Sequence, residues 1–352
     1  MLTDIGWSDE HRLQMKGRDG LVPGRIIAQH RGSYNVMSEL GELRAEVSGR
    51  MRHEALGPQN LPAVGDWVAL ATRGAHEAGT IHDILPRRTK FSRKVAGVET
   101  EEQVLAANID TIFVIASLNA ELNARRIERY LALGWQSGAM PVVVLTKADM
   151  IDDVAGDVAE VAAVAGTVAV HAVSALTGWG MDDLLAYFTG GRTVALLGSS
   201  GVGKSTLVNA LVGAEVQRVT AIRSDDKGRH TTTHRELIAL PTGGAVIDTP
   251  GMRELQLWDA DEGMTDAFQD IETLALECRF RDCSHQREPE CAVAEALADG
   301  RLAHARYNGY LKLQRELRYL SRKKDARARA AETRKWKAIN RDHRAATRAR
   351  RT

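Results

Sequence analysis

The sequence predicts a multidomain protein with a small β-barrel first, an α/β domain in the middle and a short α-helical domain around a metal site last. Short β-like runs separated by turns fill the region before residue 95, and strands alternate with helices from residue 103 onwards. All three cysteines fall within 14 residues, Cys278 to Cys291. At 352 residues, the chain is long enough for two or three domains, each with its own core.

Composition limits the class of protein. The formal net charge is only +1, but residues 321–352 hold 13 Lys or Arg against 3 Asp or Glu, so the chain before this tail is net acidic. No apolar run approaches the roughly 18 residues that span a membrane, and the first 25 residues lack the apolar stretch of a signal peptide. An odd number of cysteines makes no disulfide framework. We therefore expect a monomeric protein of the reducing cytoplasm, with no membrane partner.

The N-terminal region has a β pattern. Residues 1–20 are polar, and we expect them to be ordered only at the edges. Five short strands within residues 21–95 suit a closed barrel of the OB type, with a β domain that binds no ligand as the alternative. The basic segment 86–94 is either a solvated linker or a nucleic-acid contact. The strands are predicted at Gly24–His30, Ser33–Ser38, Glu42–Ser48, Gly65–Ala71 and Gly79–Ile84.

Strands and helices alternate within residues 103–258, which is the pattern of a parallel sheet covered by helices on both faces. Ligands of such sheets bind beyond the carboxyl ends of the strands, so the loops that follow the strands form the candidate site. Strands are predicted at Thr111–Ala116, Pro141–Leu145, Thr167–Val173, Thr193–Leu197 and Ala245–Ile247, and helices at Ala124–Trp135, Val154–Ala165, Met181–Phe188 and Leu207–Val212.

A glycine-rich loop between a predicted strand and a predicted helix has the pattern of a phosphate-binding loop. Its glycines let successive backbone N–H groups turn towards a polyphosphate, and the following helix presents its positive end to the same anion. We expect Lys204 to reach the β- and γ-phosphates and Ser205 to ligate Mg²⁺. The loop consists of Gly198, Ser199, Ser200, Gly201, Val202, Gly203, Lys204 and Ser205, with Thr206 behind it.

The run Thr146-Lys147-Ala148-Asp149 follows a predicted strand and resembles the base-reading motif of GTPases. The Asp149 carboxylate can accept hydrogen bonds from both N1–H and N2–H₂ of guanine, whereas adenine lacks this pair of donors. Lys147 is expected to lay its aliphatic stem against the base. Ser174 and Ala175, after the next strand, resemble the second base-contacting element, whose backbone N–H meets guanine O6. GTP is therefore the predicted nucleotide.

Two later segments are predicted switch loops, which the γ-phosphate orders and hydrolysis releases. In 228–233, one threonine should complete the Mg²⁺ shell, Thr232 being favoured over Thr231. In 248–251, Asp248 should hold Mg²⁺ through water, and the Gly251 N–H should sense the γ-phosphate. Met252 stands where a water-orienting glutamine is usual, so we predict slow intrinsic hydrolysis. His230 is the candidate for positioning the water once a partner binds; a flexible surface histidine is the alternative.

The order of these motifs is unusual. Ordinary GTPases begin with the phosphate loop and end with the base motifs, whereas here the base motifs come first. Circular permutation is physically admissible because domain termini often lie close together at the surface. The central domain is therefore predicted to be a circularly permuted α/β P-loop GTPase.

Residues 262–320 carry a cluster of metal ligands, with Cys278, Cys283, His285 and Cys291 in the pattern Cys-x₄-Cys-x-His-x₅-Cys. Three thiolates and one imidazole complete a tetrahedral Zn²⁺ site without an open position, which is typical of structural zinc. Three buried free cysteines are the alternative. Helices are predicted at Ala292–Ala298 and Ala303–Leu320. The basic tail, 321–352, is either solvated or the electrostatic footprint of RNA binding.

In combination, these motifs resemble the ribosome small-subunit-dependent GTPase A family over roughly residues 21–320. The resemblance implies an OB-fold RNA-binding domain, a GTPase that the 30S small ribosomal subunit activates, and a late role in the maturation of that subunit. It also implies an apolar residue in place of the glutamine, as at Met252. The implied partners are the 30S subunit, its rRNA, GTP and GDP. A GTP-gated RNA-binding protein without significant turnover and a P-loop kinase or ATPase are the alternatives.

Overall fold

The computed structural model describes residues 2–74, 77–94, 102–119, 122–213, 236–248, 268–280, 283–285, 288–304, 306–312 and 314–315. Within these ranges, five strands close into a barrel. Numbered along the chain, they follow the order first, second, third, fifth and fourth, and the fourth strand pairs with the first as well as with the fifth. The fully buried side chains of Ile26, Val36, Leu43 and Leu70 fill its interior. All five predicted strands are present: β1 (Val22–Gln29), β2 (Tyr34–Ser38), β3 (Gly41–Val47), β4 (Trp67–Ala71) and β5 (Gly79–Ile84), with helix α2 (Gly49–Glu54) after β3.

Residues 2–20 are more ordered than their polar composition predicts, so that expectation was wrong. A 3₁₀ turn at Thr3–Ile5 and helix α1 (Asp9–Gln14) precede the barrel, and Ile5 is buried. His11 stacks on Trp7 and packs against Trp67 of β4, with ring centroids 5.3 and 5.0 Å apart. The few apolar and aromatic residues of this segment therefore find partners far along the chain, which composition cannot reveal.

A hairpin follows the barrel. Strand β6 (Lys90–Lys94) pairs antiparallel with β7 (Glu102–Ala107), so the basic segment 86–94 is in part a strand rather than a linker. Just before it, the Arg87 guanidinium forms a bidentate ion pair with the buried Asp66 carboxylate, with nitrogen–oxygen distances of 2.6 and 2.7 Å. At least Arg87 in this segment therefore has a structural role.

The central domain is an α/β sheet of six strands, which is parallel except for one antiparallel pair. Its inner strands are buried on both faces and accordingly read as continuous apolar runs. The strands are β8 (Thr111–Ser117), β9 (Met140–Thr146), β10 (Val170–Ala172), β11 (Thr193–Gly198), β12 (Glu236–Ala239) and β13 (Ala245–Asp248). Their order in the sheet is β10-β9-β8-β11-β13-β12, and the antiparallel pair is β12–β13. Strand β12 also pairs with β1, so the barrel and this sheet are continuous.

Four helices accompany this sheet in the described part of the chain: α3 (Ala124–Gln136), α4 (Val154–Ala165), α5 (Met181–Leu185) and α6 (Lys204–Val212). Side chains cap two of them, since Asn123 accepts a hydrogen bond from Arg126 N–H and Asp153 accepts one from Gly156 N–H. Two predicted elements are shorter than expected. The strand expected at 167–173 spans only β10, and the helix expected at 181–188 ends at Leu185, followed by a 3₁₀ turn.

The C-terminal region contains helices α7 (Gln269–Leu276) and α8 (Ala292–Ala298) and a helical segment at 306–312. The buried Arg306 of that segment forms a bidentate ion pair with Asp270 of α7, with distances of 2.6 and 2.7 Å, and also donates to the carbonyl oxygen of Val164 in α4. This side chain therefore fastens the C-terminal region to the α/β domain. None of the helices in the described ranges is long and apolar enough to cross a membrane.

Candidate nucleotide site and metal cluster

The predicted nucleotide residues that the structure describes lie at one edge of the α/β sheet. Parallel strands β9, β11 and β13 all end at this edge, β9 leading into the base motif, β11 into the phosphate loop, and β13 ending at Asp248. Ser174 and Ala175 follow β10 at the same edge. Strand direction alone therefore brings together motifs that stand far apart in the sequence.

The phosphate loop has the backbone that its glycines predict. Gly201 and Gly203 have φ angles of +78° and +92°, a region that side-chain-bearing residues rarely adopt. Helix α6 begins directly afterwards, at Lys204, so its positive end faces the loop. The Lys204 ammonium donates to the carbonyl oxygens of Gly198 at 2.9 Å and Ser199 at 2.6 Å. The lysine thus lies folded against the loop.

The base motif touches the phosphate loop directly. The Lys147 ammonium donates to the Gly201 carbonyl oxygen at 3.0 Å, and the Thr146 hydroxyl lies 2.5 Å from the Val202 carbonyl oxygen. Lys147 adopts a left-handed backbone conformation, with φ of +63°, at the turn that begins the motif. Partial burial lowers the pKa of Lys147, although the neighbouring Asp149 carboxylate opposes this effect. These contacts bring the base motif and the phosphate loop against each other at this edge of the sheet.

The second base element holds the Asp149 side chain. Ser174 is buried, and its hydroxyl donates to Asp149 Oδ1 at 2.5 Å, while the Asp149 residue itself is exposed. The Ser174 hydroxyl also accepts the Thr177 N–H at 3.2 Å, and the Ser174 carbonyl accepts the Gly178 N–H at 2.9 Å. The Ser174 hydroxyl therefore orients the carboxylate, whose second oxygen can accept further hydrogen bonds.

The predicted Mg²⁺ ligands are described only in part. Asp248 is buried at the end of β13, in register with Leu196 of β11, and Ser205 is the second residue of α6. Their oxygen atoms suit a hard cation such as Mg²⁺. Thr232, Gly251 and the candidate catalytic residue His230 lie outside the described residues, as do Thr231, Met252 and the basic tail 321–352. The roles of all these side chains remain predictions.

The four predicted metal ligands converge, since one ligand atom from each lies within 4.8 Å of all the others. In a tetrahedral site with metal–sulfur and metal–nitrogen distances of about 2.3 Å and about 2.0 Å, two sulfurs lie about 3.8 Å apart and a sulfur and a nitrogen about 3.5 Å apart. The Sγ atoms of Cys278 and Cys291 are 3.8 Å apart, and both lie 3.4–3.5 Å from His285 Nδ1. These distances fit a tetrahedral metal ion.

The pKa values of two of the thiols shift in opposite directions. Burial acts to raise the pKa of Cys278, but hydrogen bonds from the backbone at the start of α8 outweigh it and lower the pKa. For Cys283, burial and the two neighbouring sulfurs raise the pKa to about 11. Three crowded thiolates need a compensating cation, which a divalent metal ion supplies. Tyr307 donates to the His285 carbonyl oxygen at 3.3 Å and supports the loop from the 306–312 segment.

One contact at the phosphate loop escaped the sequence prediction. Arg126, in the first turn of α3, donates from Nη1 to the Ser199 hydroxyl at 3.1 Å. A cavity of about 50 Å³ lies beside this contact, and its lining includes Ile127, Tyr130 and Val202. The sequence signal that could have revealed the Arg126–Ser199 contact is the pair of arginines at the start of a helix, where acidic residues are preferred.

Comparisons with known proteins agree with this arrangement. A model of the RsgA GTPase family matches residues 84–258. The small ribosomal subunit biogenesis GTPase RsgA of Opitutus terrae is 46% identical to this chain over 356 residues, which cover 98% of this chain and 97% of the relative. The small ribosomal subunit biogenesis GTPase RsgA 2 of Lactiplantibacillus plantarum is 49% identical over 319 residues, 90% of each chain.

Solved structures show the same likeness. The crystal structure of YjeQ from Thermotoga maritima has a TM-score of 0.66 at 28% identity, covering 84% of this chain and 98% of that chain. The structure of YloQ, described as a circularly permuted GTPase, has a TM-score of 0.64 at 25% identity, covering 86% of this chain and 97% of that one. The predicted fold class, an OB-like barrel, a circularly permuted GTPase and a C-terminal region with a Cys₃His cluster, is confirmed.

Proposed function

Because this chain belongs to the RsgA GTPase family, we propose that it hydrolyses GTP to GDP and phosphate in a manner stimulated by the small ribosomal subunit, as a late checkpoint in the assembly of that subunit. Its relatives are named as GTPases of small-subunit biogenesis. The observation that carries the nucleotide part is the hydrogen bond between the Lys147 ammonium and the Gly201 carbonyl oxygen. It joins the guanine-reading motif to the phosphate loop, so one GTP molecule can meet both.

The proposed roles follow from where the side chains lie. Asp149, oriented by the Ser174 hydroxyl, accepts the two donors of guanine, and the Lys147 stem covers the base. Lys204 leaves the carbonyl oxygens of Gly198 and Ser199 and pairs with the phosphates, a stronger charge-assisted interaction. Backbone N–H groups of the loop and the start of α6 hold the same anion.

The hydrolytic part of the proposal rests on the sequence. Ser205, Thr232 and Asp248 would hold Mg²⁺, which neutralises charge that develops on the phosphates during hydrolysis. His230 would position the attacking water when the ribosomal partner fixes the switch, because the thioether of Met252 makes only weak hydrogen bonds. Intrinsic turnover is then slow, and the partner controls the rate.

We propose Zn²⁺ as the ion of the Cys₃His cluster. The support is the donor set, three thiolates and one imidazole, together with sulfur and nitrogen separations that match a closed tetrahedral site. With four protein ligands, no position remains for a catalytic water. The ion would therefore act structurally, stabilising a loop whose described residues are mostly polar and half-buried or exposed.

The proposed partners are the 30S subunit and its rRNA, bound by the barrel, the metal-binding segment and the basic tail, in a monomeric, cytoplasmic protein. The tail supports RNA binding by its charge, 13 Lys or Arg against 3 Asp or Glu. Neutralising phosphates with these cations makes the affinity depend on salt. We therefore expect subunit binding to weaken steeply as salt rises, and a flat response would contradict the RNA contact.

The decisive experiment measures steady-state phosphate release from GTP without ribosomal particles, with 30S subunits and with 50S subunits. The proposal expects slow release alone, strong stimulation by 30S subunits and none by 50S subunits. GTP binding without stimulated release would favour the GTP-gated RNA-binding alternative. Competition of ATP against labelled GTP tests the kinase or ATPase alternative, which requires ATP to compete well.

A further inference from the structure

Helix α3 points a cation at the phosphate loop. Arg126 stands in the first turn of α3, and its Nη1 atom donates to the hydroxyl of Ser199, the second residue of the loop, at 3.1 Å. We propose that Arg126 is a positioning residue for the phosphate loop and acts through the Ser199 hydroxyl. The inference rests on the proposed function, since it takes this loop as the GTP site.

The location of Arg126 is electrostatically unfavourable for the helix itself. The N-terminal end of a helix carries partial positive charge, so acidic residues stabilise it and cations do not. The first turn of α3 contains no acidic residue, but it contains Arg125 and Arg126. Violations of a local rule tend to occur at functional sites, where another interaction compensates for them. Here the observed partner is the Ser199 hydroxyl, in the loop that is proposed to bind the polyphosphate.

Ser199 is held from two directions. Its carbonyl oxygen accepts from the Lys204 ammonium at 2.6 Å, and its hydroxyl accepts from Arg126. When a nucleotide binds, Lys204 is required at the phosphates and gives up the carbonyl. The Arg126 contact uses a different atom of Ser199 and can persist. The Arg126 contact therefore holds this part of the loop independently of the Lys204 ammonium.

The helix that carries Arg126 is firmly anchored. Ile127 and Leu131 of α3 are buried in the core of the α/β domain, and the Asn123 side chain caps the helix at the Arg126 N–H. A side chain on such an element is placed more accurately than one on a mobile loop. Arg126 itself remains exposed, so its replacement should leave the fold intact.

The test compares the full-length protein with Arg126→Ala, Arg126→Lys, Ser199→Ala and the Arg126→Ala/Ser199→Ala double variant. The matched control is Arg50→Ala, which removes an exposed arginine from helix α2 of the barrel. The measurements are the Kd of a fluorescent GTP analogue, KM and kcat with 30S subunits, and the melting temperature. Ser199→Ala deletes the same hydrogen bond from the other side, so the proposal stays testable should Arg126→Ala fold poorly.

We expect Arg126→Ala and Ser199→Ala each to raise Kd and KM about fivefold, and the double variant to raise them no further, because the two groups act as one unit. Arg126→Lys should recover part of the affinity, since it keeps the charge but not the planar donor. For Arg126→Ala, the kcat at saturating GTP and the melting temperature should stay at wild-type values, a pattern that a merely structural role would not give. An Arg126→Ala variant with wild-type Kd, or a double variant whose effects multiply, would overturn the inference. A wild-type protein that fails to bind GTP would instead refute the proposed function.

Discussion

Replacing Asp149 with asparagine should exchange the nucleotide preference from guanine to xanthine. In the structure, Asp149 Oδ1 already accepts a hydrogen bond from the Ser174 hydroxyl, and this bond orients the side chain. Asparagine keeps an oxygen that can accept from Ser174 and from N1–H of the base. It replaces the other oxygen with an NH₂ group, which faces N2–H₂ of guanine donor to donor but can donate to the C2 carbonyl of xanthine.

The size of the effect follows from the bonds exchanged. A hydrogen bond to a charged group contributes about 1.5–3 kcal/mol, and an unmatched polar pair adds a cost of similar size. Their sum, about 3–6 kcal/mol, corresponds to a loss of roughly 10²- to 10⁴-fold in affinity for GDP. Xanthosine diphosphate should bind the variant more tightly than it binds the wild type, because the asparagine oxygen accepts from N1–H of xanthine and the NH₂ group donates to its C2 carbonyl.

Titration calorimetry with GDP and xanthosine diphosphate measures both affinities directly. Asp152→Asn is the matched control, because it neutralises an exposed carboxylate three residues further on without touching the base motif. It should leave the GDP affinity unchanged. An Asp149→Asn variant that still binds GDP like the wild type would refute the assignment of Asp149 to the base, and so would equal losses for both nucleotides.

Three further predictions concern other parts of the molecule. His230→Ala should abolish subunit-stimulated phosphate release and spare the Kd for GTP; unchanged stimulated release would remove His230 from the mechanism. Burial and the nearby Arg88 lower the pKa of His11 from 6.5 to about 4, so between these values the unfolded chain binds a proton that the folded chain does not. The free energy of unfolding should therefore fall as the pH drops from 6.5 towards 4, by at most about 3 kcal/mol. His11→Phe should flatten this part of a plot of unfolding free energy against pH, and identical plots for the variant and the wild type would contradict the prediction. Cys283→Ser removes one of four metal ligands, so metal content measured by atomic emission and the melting temperature should both fall, whereas full metal content would exclude Cys283 from the site.

The local signals of the sequence account for most elements of the fold and for the motifs at the site. Strands β2 and β3 of the barrel alternate between buried and more exposed residues, and α4 begins after a capping aspartate, Asp153, so neighbouring residues suffice to locate them. The buried Arg25 is different. Its guanidinium bonds the Thr193 hydroxyl at 2.8 Å and the Asn108 carbonyl oxygen at 3.2 Å, joining the barrel to the α/β domain. No local pattern specifies partners 83 and 168 residues away. Long-range polar contacts of this kind, like the ordered segment 2–20, required the structure.

The permuted order decides how the metal-binding region connects to the nucleotide site. In this chain, the segment after Asp248 runs into the metal-binding region, so one half of the site is linked to it through the backbone. The other half is linked through Arg306, which pairs with Asp270 and donates to the Val164 carbonyl oxygen near the C-terminal end of α4. A cation at that end of a helix is favourable, and removing Asp270 would leave the buried Arg306 guanidinium without its carboxylate partner. Since α4 begins shortly after Asp149, we expect a partner that binds the metal-binding region to act on both Asp248 and Asp149, the predicted Mg²⁺ and guanine residues.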